Sequence, residues 1–281
     1  MANTSIATDW AALNPSRVKQ LTDARLQVHY AAQFAAAVGI SYLAARPDDS
    51  HTNMDWDPRL EALRSRELRA LSHAVRVALR PRDLTLFVLL DGAIGQQIPL
   101  HGSTIGQVES TLRAALAACG LDGRRLTMRR HYNLPSHPVA GGDAFDTTRR
   151  EEFVELARWF GNAAGILGEL RARTGSSEVR CWPHHFDIAT LATIPPSGSC
   201  GAGMDPGDDM FPEPYYYVNA RPAPSHPPTA PLDGGGIWHT DGWIGAVLPG
   251  SRLTSDAAGQ EAQVRAFLNS AVEACTRLVT G

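Results

Sequence analysis

From residue 179 onward the chain alternates short β-branched and aromatic runs with stretches dense in proline and glycine. VRCWPHHFDIATLATI, PYYYVNARP and GIWHTDGWIGAVLP read as strands. The connecting PPSGSCGAGMDPGDD and PAPSHPPTAPLDGGG read as loops, because proline lacks a ladder donor and glycine gives a strand nothing to pack. No helix stands between these strands, so the region lacks the βαβ alternation of a parallel sheet.

The first half mixes helices with one hairpin. Residues 17–45 step apolar side chains by three or four, as a helix does, until Gly39 and the β-branched residues after it suggest an extended end. PDDSHTNMDWDP reads as a loop, and Leu60, Leu63, Leu68 and Leu71 suggest a helix over 60–79. LTLFVLL and QQIPL flank Asp91-Gly92, a hairpin turn. Thr104 with Gln107, and Thr148 with Glu151, read as capping boxes that open helices; the second helix runs to about Arg173, where Gly175 stops it. EAQVRAFLNSAVEACTRLV closes the chain as an amphipathic helix. With no internal repeat or linker, the whole of 1–281 is expected to be a single α+β domain, mainly antiparallel sheet packed with amphipathic helices, with 1–14 a flexible lead-in.

The composition is that of a globular chain, 43% hydrophobic and 20% charged with a net charge of −3, which gives no electrostatic reason to bind nucleic acid or an anionic membrane. No apolar run reaches the roughly 20 residues of a membrane span, and the N-terminus lacks the pattern of a secretory signal. Arginine-rich, alanine-rich usage suggests a GC-rich bacterial genome. Four cysteines without a CxxC pair suggest a reduced, cytoplasmic protein without disulfides.

In order and spacing, several phrases resemble a bacterial family catalogued as domain of unknown function 5996. LQVHYAAQ is similar to that family's LHxWxQ-like phrase, matching His29 and Gln33, with Tyr30 in the tryptophan position. DGAIGQQIPL and TLRAALAACGL resemble its hairpin and helix. HHFDIA resembles a glycine-serine followed by FDLA and sets Asp187 on the family's aspartate. EPYYYVNARPAP is similar to EPxFYxYxYPxP, which sets Glu213 on its glutamate. His184 and His185 stand where the family has small residues, and WHTDGW has no counterpart. The resemblance implies a divergent member and lends no activity, because none is established for the family.

Function is then left to side chains. On a regular strand His185 and Asp187 point to one side, and Trp182, His184 and Phe186 to the other. An imidazole and a carboxylate two residues apart suit a divalent cation such as zinc, iron or manganese, with His239 as third ligand. Glu213 is then the general-base candidate, with Tyr215 to orient substrate. His29, Gln33, Trp182, Tyr217, Trp238 and Trp243 are expected to line an aromatic pocket for a small-molecule ligand. The competing plain readings are a strand-end histidine, an aspartate accepting backbone bonds, a loop-anchoring Glu213 and a buried, hydrogen-bonded His29. The competing functions are a metal-free binding module, a self-association surface, or a 2-oxoglutarate/iron oxygenase with Arg252 on the cosubstrate carboxylate. Three features oppose the last: HxD pairs are common, the suspected relatives lack the first histidine, and long helices leave few strands for its barrel. Substrate, metal identity and oligomeric state stay open.

Overall fold

A computed structural model describes residues 10–70, 73–226 and 228–280. In chain order its elements are α1 (Thr22–Tyr42), β1 (Asp55–Asp57), β2 (Ala62–Arg64), β3 (Leu68–Ala70), β4 (His73–Arg80), β5 (Thr85–Leu90), β6 (Ala93–Pro99), α2 (Ile105–Ala118), α3 (Arg150–Thr174), β7 (Arg180–Cys181), β8 (Ile188–Ile194), β9 (Gly198–Asp205), β10 (Tyr215–Arg221), β11 (Ile237–His239), β12 (Gly245–Pro249) and α4 (Ala257–Thr280). The class is α+β, with two antiparallel sheets packed with helices. No helix among the described residues is long and apolar enough to cross a membrane.

The chain forms two compact units. The α1 unit comprises Gln20–Ala157 and Arg180–Asp187. The α4 unit comprises Arg158–Val179, Ile188–Gly281 and the described part of Met1–Lys19.

In the α1 unit the strand order is β1-β2-β4-β5-β6, with β3 also paired to β4. The β5–β6 hairpin turns at Asp91-Gly92, where both residues have positive φ (49° and 82°), the geometry that matches the twist of the flanking strands. Thr104 and Gln107 form the expected capping box. The other box does not form: α3 starts at Arg150, and Thr148 turns back to bond the Asp146 carboxylate.

Two further expectations are corrected here. The stretch 60–79 is strand, because Ala62–Arg64 pairs with Asp55–Asp57 and Leu63–Arg64 with Ala78–Leu79, while Arg64 bonds both Asp55 and Asp57. Those pairings also make strand of Asp55–Asp57, which had read as loop; Leu71 lies outside the described residues. α1 in turn stays helical through Gly39 to Tyr42, and nearly all of its sides are buried.

The α4 unit is built on the order β11-β12-β10-β9-β8. Tyr216, Val218 and Ala220 of β10, with Ala202 and Met204 of β9, are buried on one face. α4 packs against these two strands, contributing Val264, Phe267, Leu268 and Ala271 to the buried core. Trp159 reaches the Tyr216 ring at 5.9 Å between centroids. β9 overturns the loop reading of PPSGSCGAGMDPGDD: its Gly198–Asp205 is a central strand, paired along its length with both β8 and β10.

Residues 1–9 of the expected flexible lead-in lie outside the described residues. Of 10–14, Leu13 is held by Gln260, which is fully buried: the side-chain amide accepts from Leu13 N (2.9 Å) and donates to Leu13 O (2.8 Å). Asn162 treats Ala11 the same way. Gln260→Ala strands both main-chain groups of Leu13, so a stability loss of about 2 kcal/mol is expected. Urea unfolding of the variant beside wild type measures it.

Candidate functional site

The residues singled out in the sequence fall into two groups, one in each unit. His29, Gln33, Trp182, His185 and Asp187 belong to the α1 unit. Glu213, Tyr215, Tyr217, Trp238, His239 and Trp243 belong to the α4 unit.

In the α1 unit the strand premise for His185 and Asp187 fails. After the two-residue β7 the chain turns back on itself: Phe186 N donates to Trp182 O (2.7 Å) and Trp182 N to Asp187 O (2.9 Å). Phe186 sits at φ 68°, a left-handed conformation that costs a bulky residue on the order of 1–2 kcal/mol. Proline at 183 and this reversed residue break the alternation, so His185 is exposed while Asp187 is only 8% exposed. The two side chains do not share a face.

What holds this loop is the histidine–glutamine pair on α1. His29 Nε2 donates to the Pro183 carbonyl at 2.9 Å, and Gln33 Nε2 donates to the same oxygen at 3.0 Å. Tyr132 Oη donates to Gln33 Oε1 (2.9 Å), so the glutamine is itself fixed. The His29 ring stacks on Phe186, centroids 4.6 Å apart and planes within 5°. One face of α1 thus clamps the reversed turn, and the positive φ of Phe186 persists because its surroundings leave it no alternative. Burial drives the His29 pKa down to about 4, helped by the positive charges of Arg25 and Arg130 and opposed by the Pro183 bond. The ring is neutral, with its proton on Nε2, since a carbonyl can only accept.

In the α4 unit Glu213 is likewise a fastener. Its two carboxylate oxygens accept from Ser251 N (2.6 Å) and Ser251 Oγ (3.0 Å), tying the segment before β10 to the turn after β12. With both oxygens engaged it has the geometry of a loop anchor. Arg252 donates to the Gly235 carbonyl. Asp208 caps its own loop through Met210 N and Phe211 N, and accepts from Tyr215 Oη at 2.7 Å. Trp238 donates from Nε1 to Ala230 O (2.8 Å) and makes no ring contact with His239 among the described residues.

The other rings do come together. Tyr217 and Tyr215 lie 6.2 Å apart, Tyr215 and Phe211 4.8 Å, Phe211 and His239 5.0 Å, and His239 and Trp243 4.9 Å. Sequence reading missed Phe211, which sits in a loop without periodicity.

Glycine fixes how these side chains lie. Tyr217 and Asn219 project to the face of β10 opposite Tyr216 and Val218, and their ladder partners on β9 are Gly203 and Gly201. A Cβ at Gly203 would fall 2.6 Å from Tyr217 Oη and 2.7 Å from two of its ring carbons. One at Gly201 would fall 2.6 Å from Asn219 Oδ1, and one at Gly245 would overlap the Trp243 ring. Tyr217, Asn219 and Trp243 therefore occupy space that ordinary residues would fill, and they lie down along the sheet instead of standing off it. The three are half-buried. Leu191, whose ladder partner is Gly201, is 46% exposed on the same face. The result is a low, aromatic, partly open surface with amide and phenol groups at its centre.

His185 is exposed, Asp187 is turned inward in a different setting, and His239 Nε2 donates to the Asp241 carbonyl at 2.6 Å. Among the described residues no three histidine, cysteine, aspartate or glutamate side chains gather as a metal-holding group. No protein-family model matches the chain, and no curated protein or solved structure matches it either.

Proposed function

We propose that the protein is a metal-free binding module for a small planar organic molecule, which stacks on the aromatic surface of the α4 unit. The observation that carries this reading is the pairing of Gly201, Gly203 and Gly245 with the flattened Asn219, Tyr217 and Trp243. Glycine within a central strand costs stability. Here it lets ring faces lie along the sheet, an arrangement that suits stacking of a flat ligand. Asn219 supplies both a donor and an acceptor for an edge-on heteroatom. Tyr217 and Trp243 provide the stacking area; Tyr215 packs beside Tyr217 and His239 beside Trp243, with Phe211 against both Tyr215 and His239.

In this reading the polar residues shared with domain of unknown function 5996 are scaffolding. His29 and Gln33 clamp a turn and Glu213 anchors another, so a divergent member keeps them whatever it binds. The four cysteines are free, which fits a place in the reducing cytoplasm.

Ligand-observed NMR with indole, quinoline, adenine and nicotinamide as probes tests the reading. Saturation transfer to at least one bicyclic probe is expected, lost in Tyr217→Ala and unchanged by EDTA. Transfer that survives Tyr217→Ala would place binding elsewhere, and dependence on added zinc or manganese would restore the metal.

A further inference from the structure

Alternation along β10 puts Arg221 on the same open face of the α4-unit sheet as Tyr217 and Asn219. The strand registers then set side chains in rows across that face. Leu191, Gly201 and Asn219 share one row, and Thr193, Ser199 and Arg221 share the next, about 7 Å along the strands. Leu191 and Asn219 both lie over Gly201, since a Cβ there would fall 2.6 Å from Asn219 Oδ1 and 3.8 Å from Leu191 Cδ1. Gly245 follows the Val218–Ala246 pair, and a Cβ on it would fall inside the Trp243 ring and 3.0 Å from the Val218 carbonyl oxygen. The Trp243 ring therefore closes the Asn219 row on its other side.

On this face β8, β9 and β10 carry two charged side chains, Asp205 and Arg221. Asp205 is buried and accepts from Gly207 N at 2.8 Å. It pairs with Tyr215 at the far end of β10, about 20 Å from Arg221 along the strand, too far to neutralise it. Arg221 is exposed and makes no hydrogen bond or ion pair among the described residues. A solvated arginine at a strand end is common. This one stands one row from a stacking surface, with the hydroxyls of half-buried Ser199 and exposed Thr193 set beside it. A guanidinium presents a planar fork of donors to a carboxylate or phosphate, and two hydroxyls can donate to the oxygens that the fork leaves. A cationic ligand would be repelled there, and a neutral ring would leave the fork to water.

We propose that the planar molecule bound by the α4 unit carries an oxyanion arm, a carboxylate or phosphate group. Its ring stacks on Tyr217 and Trp243, and Arg221 receives the arm together with Ser199 and Thr193. This names the class of ligand for the stacking surface and rests on that reading.

Matched probes separate the arm from the ring: quinoline against quinoline-4-carboxylate, and adenosine against adenosine 5′-monophosphate, each titrated into the full chain by ligand-observed NMR. The readout is the affinity of each acid relative to its neutral parent. At least one acid is expected to bind about three- to tenfold more tightly than its parent, the gain of a solvent-exposed charge-assisted bond. A gain with the carboxylate alone assigns aromatic acids, with the phosphate alone nucleotides, and with both oxyanion arms in general. Arg221→Gln should bring the ratio to about one. Arg124→Gln makes the same change of charge at a residue of the α1 unit that is 92% exposed, and should keep the ratio of wild type. Parents that bind with no gain from either acid, or a gain that survives Arg221→Gln, would overturn the oxyanion arm and leave the stacking surface standing. Failure of parents and acids alike to bind would overturn both.

Discussion

Gly39→Ala is expected to destabilise the protein by at least about 3 kcal/mol, although alanine is the better helix former. In an isolated helix this change would gain up to about 1 kcal/mol. Here a Cβ would overlap the His51 carbonyl oxygen and come within 2.9 Å of its carbon and 3.0 Å of Thr52 Cα. All three are main-chain atoms, so no side-chain rotation relieves the clash. The helix and the segment at 51–52 must separate, and the surrounding core is buried. Overpacking of this kind costs about 1–3 kcal/mol even where side chains can give way. Denaturant unfolding of Gly39→Ala checks it, and Gly106→Ala provides the control, since a Cβ there meets nothing within 4 Å and should be neutral or stabilising.

The second large effect is in acid. His29 is 5% exposed and its pKa is lowered to about 4, with burial the main cause. The unfolded chain carries an ordinary imidazole near 6.5. Between those values the unfolded state binds a proton that the folded state refuses, so stability rises with pH across the interval and falls as pH drops through it. Above about 6.5 the penalty is absent, and below about 4 it is complete, at roughly 3 kcal/mol. His29→Gln removes the titration while keeping a side-chain donor within reach of the Pro183 carbonyl. Wild type should therefore lose about 3 kcal/mol more than His29→Gln between pH 7 and pH 4 in urea melts. Parallel curves would mean that the folded chain protonates His29 without cost.

Much of the architecture was legible in the sequence, and the failures share one cause. The β5–β6 hairpin, the Thr104–Gln107 box and the closing helix each depend on local signals that tertiary contacts do not override. Glycine misled in both directions. Gly39 suggests the end of a helix, yet it is the residue that lets α1 continue past the His51 carbonyl. The glycines at 198, 201 and 203 suggest a loop, yet they lie in a central strand, with Gly201 and Gly203 beneath side chains from β10. A glycine that admits a neighbour cannot be told from one that permits a turn until the neighbour is known.

The aromatic group was partly legible for a related reason. Alternation on β10 places Tyr215 and Tyr217 together, and WHTDGW adds His239 and Trp243. Phe211 carries no periodic signal. The expected strand through His185 and Asp187 failed on local geometry: one proline and one left-handed phenylalanine turn it into a clamp, and the two residues then face different ways.

In the proposed stacking surface Gly203 is what lets Tyr217 lie flat for a ligand. Isothermal titration of the best bicyclic probe against wild type, Gly203→Ala, His185→Ala and Glu213→Gln tests it directly. The contacts at Gly203 are with the far end of a flexible side chain, so Gly203→Ala should fold, with Tyr217 pushed off the sheet and the affinity reduced about two- to tenfold, the loss of one stacking contact. His185→Ala and Glu213→Gln should bind as wild type does. Unchanged affinity in Gly203→Ala, or affinity lost in His185→Ala, would contradict a stacking surface and return the search to the histidines.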